Sequence, residues 1–234
     1  MTPDQLATYS VCLMYLNQVS TIVPMAVVWR RRKRFSPAVK LLSNYVYLSA
    51  FCSFGGSVLY PAVFATNYGF LAGFNLGKIL LFGAVYYAVL ESGPLRRTVM
   101  STTLITAACI ALVFGYDAYT GVTCARLSQC AVLAGFAMLY LEQSLRRPAP
   151  RWASHDPLWL LSIGQLFYSA GTVTAFSFDY FSVTIYDQSP KALVFATLGL
   201  VFNGFLTLAF LRAKRTDGAV EDPQPAAAPQ LAPL

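Results

Sequence analysis

Residues 73–92 read GFNLGKILLFGAVYYAVLES, an apolar and aromatic run interrupted near its start by Lys78. A helix that crosses a bilayer needs about 20 such residues, and this stretch supplies them. The whole chain follows the same pattern. Its 234 residues are 56% hydrophobic and only 12% charged, whereas soluble domains are about 25% charged. Mean hydropathy is +0.54.

Working outward from 73–92, seven apolar segments are expected to be spans: about 5–29, 39–64, 70–91, 97–117, 122–144, 157–179 and 190–212. Short links such as ESGPLRR (91–97) and NYG (67–69) carry turn residues. The expected fold is therefore all-α, a polytopic seven-helix membrane bundle over residues 1–213. The tail from 214 to 234 is rich in Pro and Ala without an apolar period, a composition expected to stay disordered.

The charges predict orientation. Arg30, Arg31, Arg32, Lys33, Arg34 and Lys40 lie between the first two spans, and Arg96 and Arg97 between the third and fourth. Arg146, Arg147 and Arg151 lie between the fifth and sixth, and Arg212, Lys214 and Arg215 follow the seventh. Fourteen of the seventeen basic residues thus fall on one side. The positive-inside rule makes that side cytoplasmic, with the N-terminus outside, the C-terminus inside, and the bacterial inner membrane as the expected location. WRRRKR (29–34), placed directly after a span, reads as a topology determinant that meets anionic lipid headgroups rather than nucleic acid. The start MTPDQ has no basic leader region, so cleavage as a signal peptide is not expected.

Lys78 lies eight residues into its span, about 12 Å deep at 1.5 Å per residue, where insertion of a lysine costs roughly 2.5–3.5 kcal/mol. Asn75 shares its face. The sixth span carries a polar stripe at helical spacing, Ser162, Gln165, Ser169 and Thr172, followed by Asp179, with Tyr168 beside it. CARLSQC (124–130) places Arg126 and Gln129 three apart near the outer surface; the first span offers Asn17 and Gln18, and the last Asn203. Polar groups avoid hydrocarbon, so these faces should turn inward. Two readings stay open: hydrogen-bonded glue between helices, with Lys78 and Arg126 salt-bridged to Asp117 or Asp179, or a polar pocket open to the outside. In the pocket reading, Lys78 and Arg126 hold a small anionic ligand, and Asn75, Gln129, Gln165, Tyr168, Thr172 and Asn203 complete the site. Pro24 and Pro61 are expected to kink the first two spans.

FCSFGGS (51–57) and FYSAGT (167–172) follow basic loops at similar distances, and GKILLFGAV (77–85) aligns with PKALVFATL (190–198). A parallel three-plus-one-plus-three repeat of this kind resembles small transporters of the SWEET and PQ-loop type, although no proline–glutamine motif lies in a span.

Catalytic signatures are missing. His155, the one histidine, sits in the loop RWASHDPLW (151–159), and there is no HExxH, GxSxG or Walker-type loop. Cys12, Cys52, Cys109, Cys124 and Cys130 form no CxxC and read as small buried hydrophobes. No enzyme activity, metal or cofactor is expected. Retinal proteins carry their Schiff-base lysine midway along the seventh helix, and neither Lys78 nor Lys191 holds that position. Receptor motifs such as DRY or NPxxY are missing too.

HDPLWLLSIGQLFYSAG (155–171), with Pro157, Trp159, Gly164, Tyr168 and Gly171, resembles the sixth helix of uncharacterised small seven-helix proteins from Bacteroidota-type bacteria. ARLSQCAVLAGFAMLYLEQSLRR (125–147) resembles their fifth helix, and FNLGKILLF (74–82) takes the place of their third. That third helix often carries an acidic residue where this chain has Lys78. The family's genes often lie near sensor kinases, so the resemblance implies a seven-helix fold and a sensory role with a membrane or sensor-kinase partner. A sensory module with an outward polar pocket is the leading expectation. A small-solute transporter and a structural subunit of a membrane complex are the alternatives.

Overall fold

A computed structural model describes residues 3–56, 66–146, 156–181 and 189–213. Every described element is helical: α1 (Pro3–Ser20), α2 (Ile22–Arg31), a 3-10 turn (Arg32–Arg34), α3 (Pro37–Phe54), α4 (Tyr68–Val89), α5 (Gly93–Tyr116), α6 (Ala118–Leu145), α7 (Pro157–Phe181) and α8 (Ser189–Arg212). Five helices are long and apolar enough to cross a membrane: Gln5–Arg34, Tyr68–Val89, Gly93–Tyr116, Ala118–Leu145 and Lys191–Arg212. This points to a multi-pass membrane protein.

The helix ends follow local chemistry. Pro24 lacks an amide hydrogen for the Ser20 carbonyl and its ring crowds that oxygen. The helix therefore breaks at Thr21, where the Thr21 amide donates to Gln18 O at 3.2 Å instead. Ser92 caps α5 by accepting from the Leu95 amide, with Pro94 in the first turn. Asp117 is all that separates α5 from α6, and its carboxylate accepts from the Tyr119 and Thr120 amides. α3 starts with Pro37 at its first helical position and widens into a π-turn at Gly55–Gly56.

Six helices pack around the interior in the order α1, α8, α7, α6, α4 and α3, α2 packs against both α8 and α3, and α5 covers the outer face of α4 and α6. The core is aromatic and aliphatic, centred on Tyr45, Phe82, Tyr86, Leu133, Phe136, Leu161, Phe202 and Leu206. The outer surface is also apolar: Tyr15, Val19, Ile22, Leu104, Ile105, Leu112 and Met138 are exposed. Buried polar side chains instead gather in the interior, including Ser43, Asn75, Lys78, Gln129, Ser162, Gln165, Ser169 and Thr172. An apolar exterior around a polar interior is the distribution hydrocarbon demands. Small residues bring helices together: a Cβ on Gly171 would run into the Leu198 side chain.

Several expectations fall outside the described residues: the end of the second span with Pro61, the loop holding Arg147, Arg151 and His155, the tail from 214, and the side chain of Asp179.

Candidate functional site

The basic side chains Arg30–Arg34, Arg96, Arg97, Arg146 and Arg212 mark one end of the bundle. At the opposite end a cavity of about 620 Å³ opens between α1 and α3 and reaches α4, α6, α7 and α8. Asn17, Gln18, Ser49, Ser53, Asn67 and Asn203 give it polar edges, and Tyr45, Phe70, Phe74, Tyr168, Phe195 and Phe202 give it aromatic walls. Arg126 and Lys191 are its charged lining; no carboxylate is among the lining residues.

Each cation is steered by an aromatic ring. The Arg126 guanidinium lies 4.1 Å from the Phe195 ring centre, and Lys191 Nζ lies 4.6 Å from that of Phe176. Such stacking holds a cation in place. On the α1 side, Asn203 Nδ2 donates to Ser20 Oγ at 2.7 Å, with Asn17 Oδ1 at 3.5 Å. The cavity edge is therefore a hydrogen-bonded seam between the first and last helices.

Lys78 is fully buried and lies behind this cavity, not on its surface. Four rings surround its nitrogen: Tyr168 at 4.1 Å, Phe202 at 4.5 Å, Tyr45 at 5.5 Å and Phe82 at 5.6 Å from their centres. Tyr45, Tyr168 and Phe202 also line the cavity, so they form a wall with the lysine on its far side. Of the residues expected to form the pocket, Arg126, Tyr168 and Asn203 line the cavity, whereas Lys78, Asn75, Gln129, Gln165 and Thr172 do not. Asn75 donates to Leu71 O of its own helix at 2.8 Å.

Gln129, Gln165 and Thr172 are instead fully buried in the interior, as Lys78 is. Gln165 Nε2 donates to Ser169 Oγ at 2.9 Å. Lys78 Nζ, both amide atoms of Gln129, Gln165 Oε1 and Thr172 Oγ1 have no nitrogen or oxygen partner. Cys130 joins the three helices here, interacting with Lys78 of α4 and with Thr172 and Ser169 of α7.

Asp117 does not serve as the counter-ion considered for Lys78 or Arg126. Its carboxylate is exposed and engaged in capping α6. The Thr120 side chain and amide, with the Tyr119 amide, hold it below the usual carboxylate range. Arg146 and Glu142 form an ion pair at the end of α6. Deeper toward the arginine-rich end, Tyr86 Oη and Ser162 Oγ share a buried hydrogen bond of 3.0 Å, and Tyr140 donates to Asp156.

Sequence reasoning missed three parts of this region. Lys191 enters the sequence reading only as a lysine off the retinal position, with no role in a pocket. Cys130 was read as a small hydrophobe, although it follows Gln129 and lies one turn from Arg126. Nothing in the sequence singles out Tyr45 or Phe202 as walls, because each looks like ordinary core. The described residues hold no cluster of three or more metal-ligating side chains. No family model, curated protein or solved structure matches the chain.

Proposed function

We propose that the protein is a seven-span sensory module of the bacterial inner membrane. It binds a small organic anion in the cavity at the end opposite its arginine clusters, which faces outward under the positive-inside rule. One observation carries this reading: the cavity sets Arg126 among aromatic walls, with no carboxylate among its described lining residues. Positive charge in a partly apolar cleft draws negative ligands, and the rings accept a flat or apolar body. The floor formed by Tyr45, Tyr168 and Phe202 supports a receptor rather than a pore. The resemblance to proteins encoded near sensor kinases supports the same role and a kinase as partner.

A thermal-shift assay on detergent-purified protein tests it, using benzoate and phenyl phosphate against benzamide. A stabilisation by the anions that Arg126→Gln removes supports the reading. No anion-specific shift, or equal shifts in wild type and variant, overturns it.

Small-solute transport is the second reading. It is favoured by the polar groups continuing beyond the floor, from Lys78 through Tyr86–Ser162 to Tyr140–Asp156. Cys52 lines the cavity, so a variant retaining only that cysteine separates the two. A receptor admits a membrane-impermeant thiol reagent to Cys52 from one side; a transporter admits it from both.

A further inference from the structure

We infer that the cavity is entered from the bilayer. Its ligand is a single-chain lipid of the outer leaflet, whose anionic head passes between α1 and α3 to Arg126 and leaves its tail in the gap. This rests on the anion-binding reading above and names the class of anion.

The gap follows from how the helices pair. Among the described elements α1 packs against α8 and α2, and α3 packs against α4 and α2. α2 joins them at the arginine-rich end, and above it the cavity lies between them. Each contributes a face to the lining: Met14, Gln18 and Thr21 from α1, and Tyr45, Ser49 and Ser53 from α3.

The height of the opening decides what it meets. At 1.5 Å per residue, Thr21 to Met14 stand about 14–24 Å above Arg30, and Tyr45 to Ser53 about 12–24 Å above Pro37. Two helices that start from the same end of the bundle thus place the opening at the same level. That level lies in the middle and outer part of a hydrocarbon core about 30 Å thick. An opening there meets acyl chains rather than water. Its flanks suit them, since Val11, Met14 and Tyr15 on α1 and Phe51 and Phe54 on α3 are exposed.

The far wall has the opposite character. The packing order puts α6 across the bundle from the gap, so Arg126 stands opposite the opening, held 4.1 Å from the Phe195 ring centre. An entering molecule meets hydrocarbon first and a cation last, with no carboxylate among the described lining residues. Gln18, Ser49 and Ser53 supply polar groups along the way, which a charged head needs once it leaves the interface. A ligand apolar at one end and anionic at the other matches both walls. The cavity's volume of about 620 Å³ suits a head and the first part of one chain.

The test labels the full-length protein in phosphatidylcholine vesicles with a palmitate analogue carrying a diazirine at mid-chain, and maps the adducts by mass spectrometry. We expect saturable adducts concentrated on α1 and α3, displaced by excess palmitate and reduced about tenfold or more by Arg126→Gln. Met14→Trp puts a ring into the opening at a half-exposed position, where the fold tolerates it. It should raise the half-saturating palmitate concentration about tenfold. Adducts spread over the lipid-facing helices, α5 included, and indifferent to palmitate would overturn the inference. So would labelling equal in wild type and either variant. The benzoate assay separates the two claims. Benzoate stabilisation through Arg126 without specific palmitate adducts leaves a water-soluble ligand and rejects entry from the bilayer; loss of both rejects the anion site and the inference with it.

Discussion

The nitrogen of Lys78 lies 4.1 Å from the centre of the Tyr168 ring, and that ring separates it from the outer cavity. One side chain thus belongs to two environments, as a wall of the cavity and as the nearest contact of a buried cation. Tyr168→Leu should cost about 1–2 kcal/mol in the presence of Lys78 through loss of the cation–π contact, beyond any change in packing. In a Lys78→Met background that extra cost should vanish. Unfolding in a denaturing detergent of all four members of the double-mutant cycle reads the coupling, and simple additivity would show that ring and cation do not interact.

Tyr86 and Ser162 share a hydrogen bond of 3.0 Å between fully buried side chains of α4 and α7. Tyr86→Phe strands the serine hydroxyl and is expected to destabilise by about 1 kcal/mol. Adding Ser162→Ala should recover part of that loss, with a coupling of about 0.6–1.5 kcal/mol. The same unfolding assay measures it, and a double mutant no better than Tyr86→Phe would contradict the pairing.

Gly121, near the start of α6, faces backbone. A Cβ there would stand 2.5 Å from Phe114 Cα and 2.9 Å from Phe114 N, and neither atom can move without shifting α5. Gly121→Ala should therefore lose about 1–3 kcal/mol. Gly135, further along α6, opens onto free space, and its change to Ala should gain about 0.5–1 kcal/mol from helix propensity. Melting curves of the two variants should move in opposite directions.

Asp117 sets an acid limit on the α5–α6 junction. Its carboxylate accepts from Thr120 and Tyr119 and titrates below its ordinary value of 3.8. A carboxylate with a depressed folded-state pKa stabilises above its unfolded pKa, and that stabilisation disappears as pH falls through the folded value. Between pH 5 and pH 2, wild type should lose more of its melting temperature than Asp117→Asn, which keeps a capping oxygen but cannot take up the proton. Parallel pH profiles for the two proteins would rule the contribution out.

The helices were legible from the sequence because hydrocarbon imposes a simple rule. Apolar runs near twenty residues long, ended by Ser92, Pro94 or Asp117, leave little choice, and α4 and α5 fall close to the expected segments. Pro24 reads as a kink in the first span, and the helix is interrupted three residues earlier, at Thr21, where the missing amide and the ring make themselves felt. The segments around 39–64 and 157–179 look like spans, yet among the described residues α3 and α7 are not apolar enough to rank with the five. α7 gives that up to Ser162, Gln165, Ser169 and Thr172, the same residues that supply buried polar groups to the interior.

The division of the polar residues into two groups was not legible. Helical spacing places Lys78, Gln165 and Thr172 on inward faces, but it cannot register one helix against another. The depth at which Tyr45, Tyr168 and Phe202 intervene depends on that register. A single pocket was the simplest reading of one polar set, and packed aromatic rings divide it.

The seam of Asn17, Ser20 and Asn203 joins the first helix to the last. A ribosome delivers these partners at opposite ends of synthesis, so the polar edge of α1 must wait for nearly the whole chain. A polypeptide stalled before α8 would present the Asn17 side chain to the surrounding lipid without Asn203, while the Ser20 hydroxyl keeps its bond to the Asn17 carbonyl. Membrane proteases and chaperones that survey for such groups could tell an unfinished chain from a finished one at this seam. The polar edge of α1 is therefore complete only once the last helix has joined it.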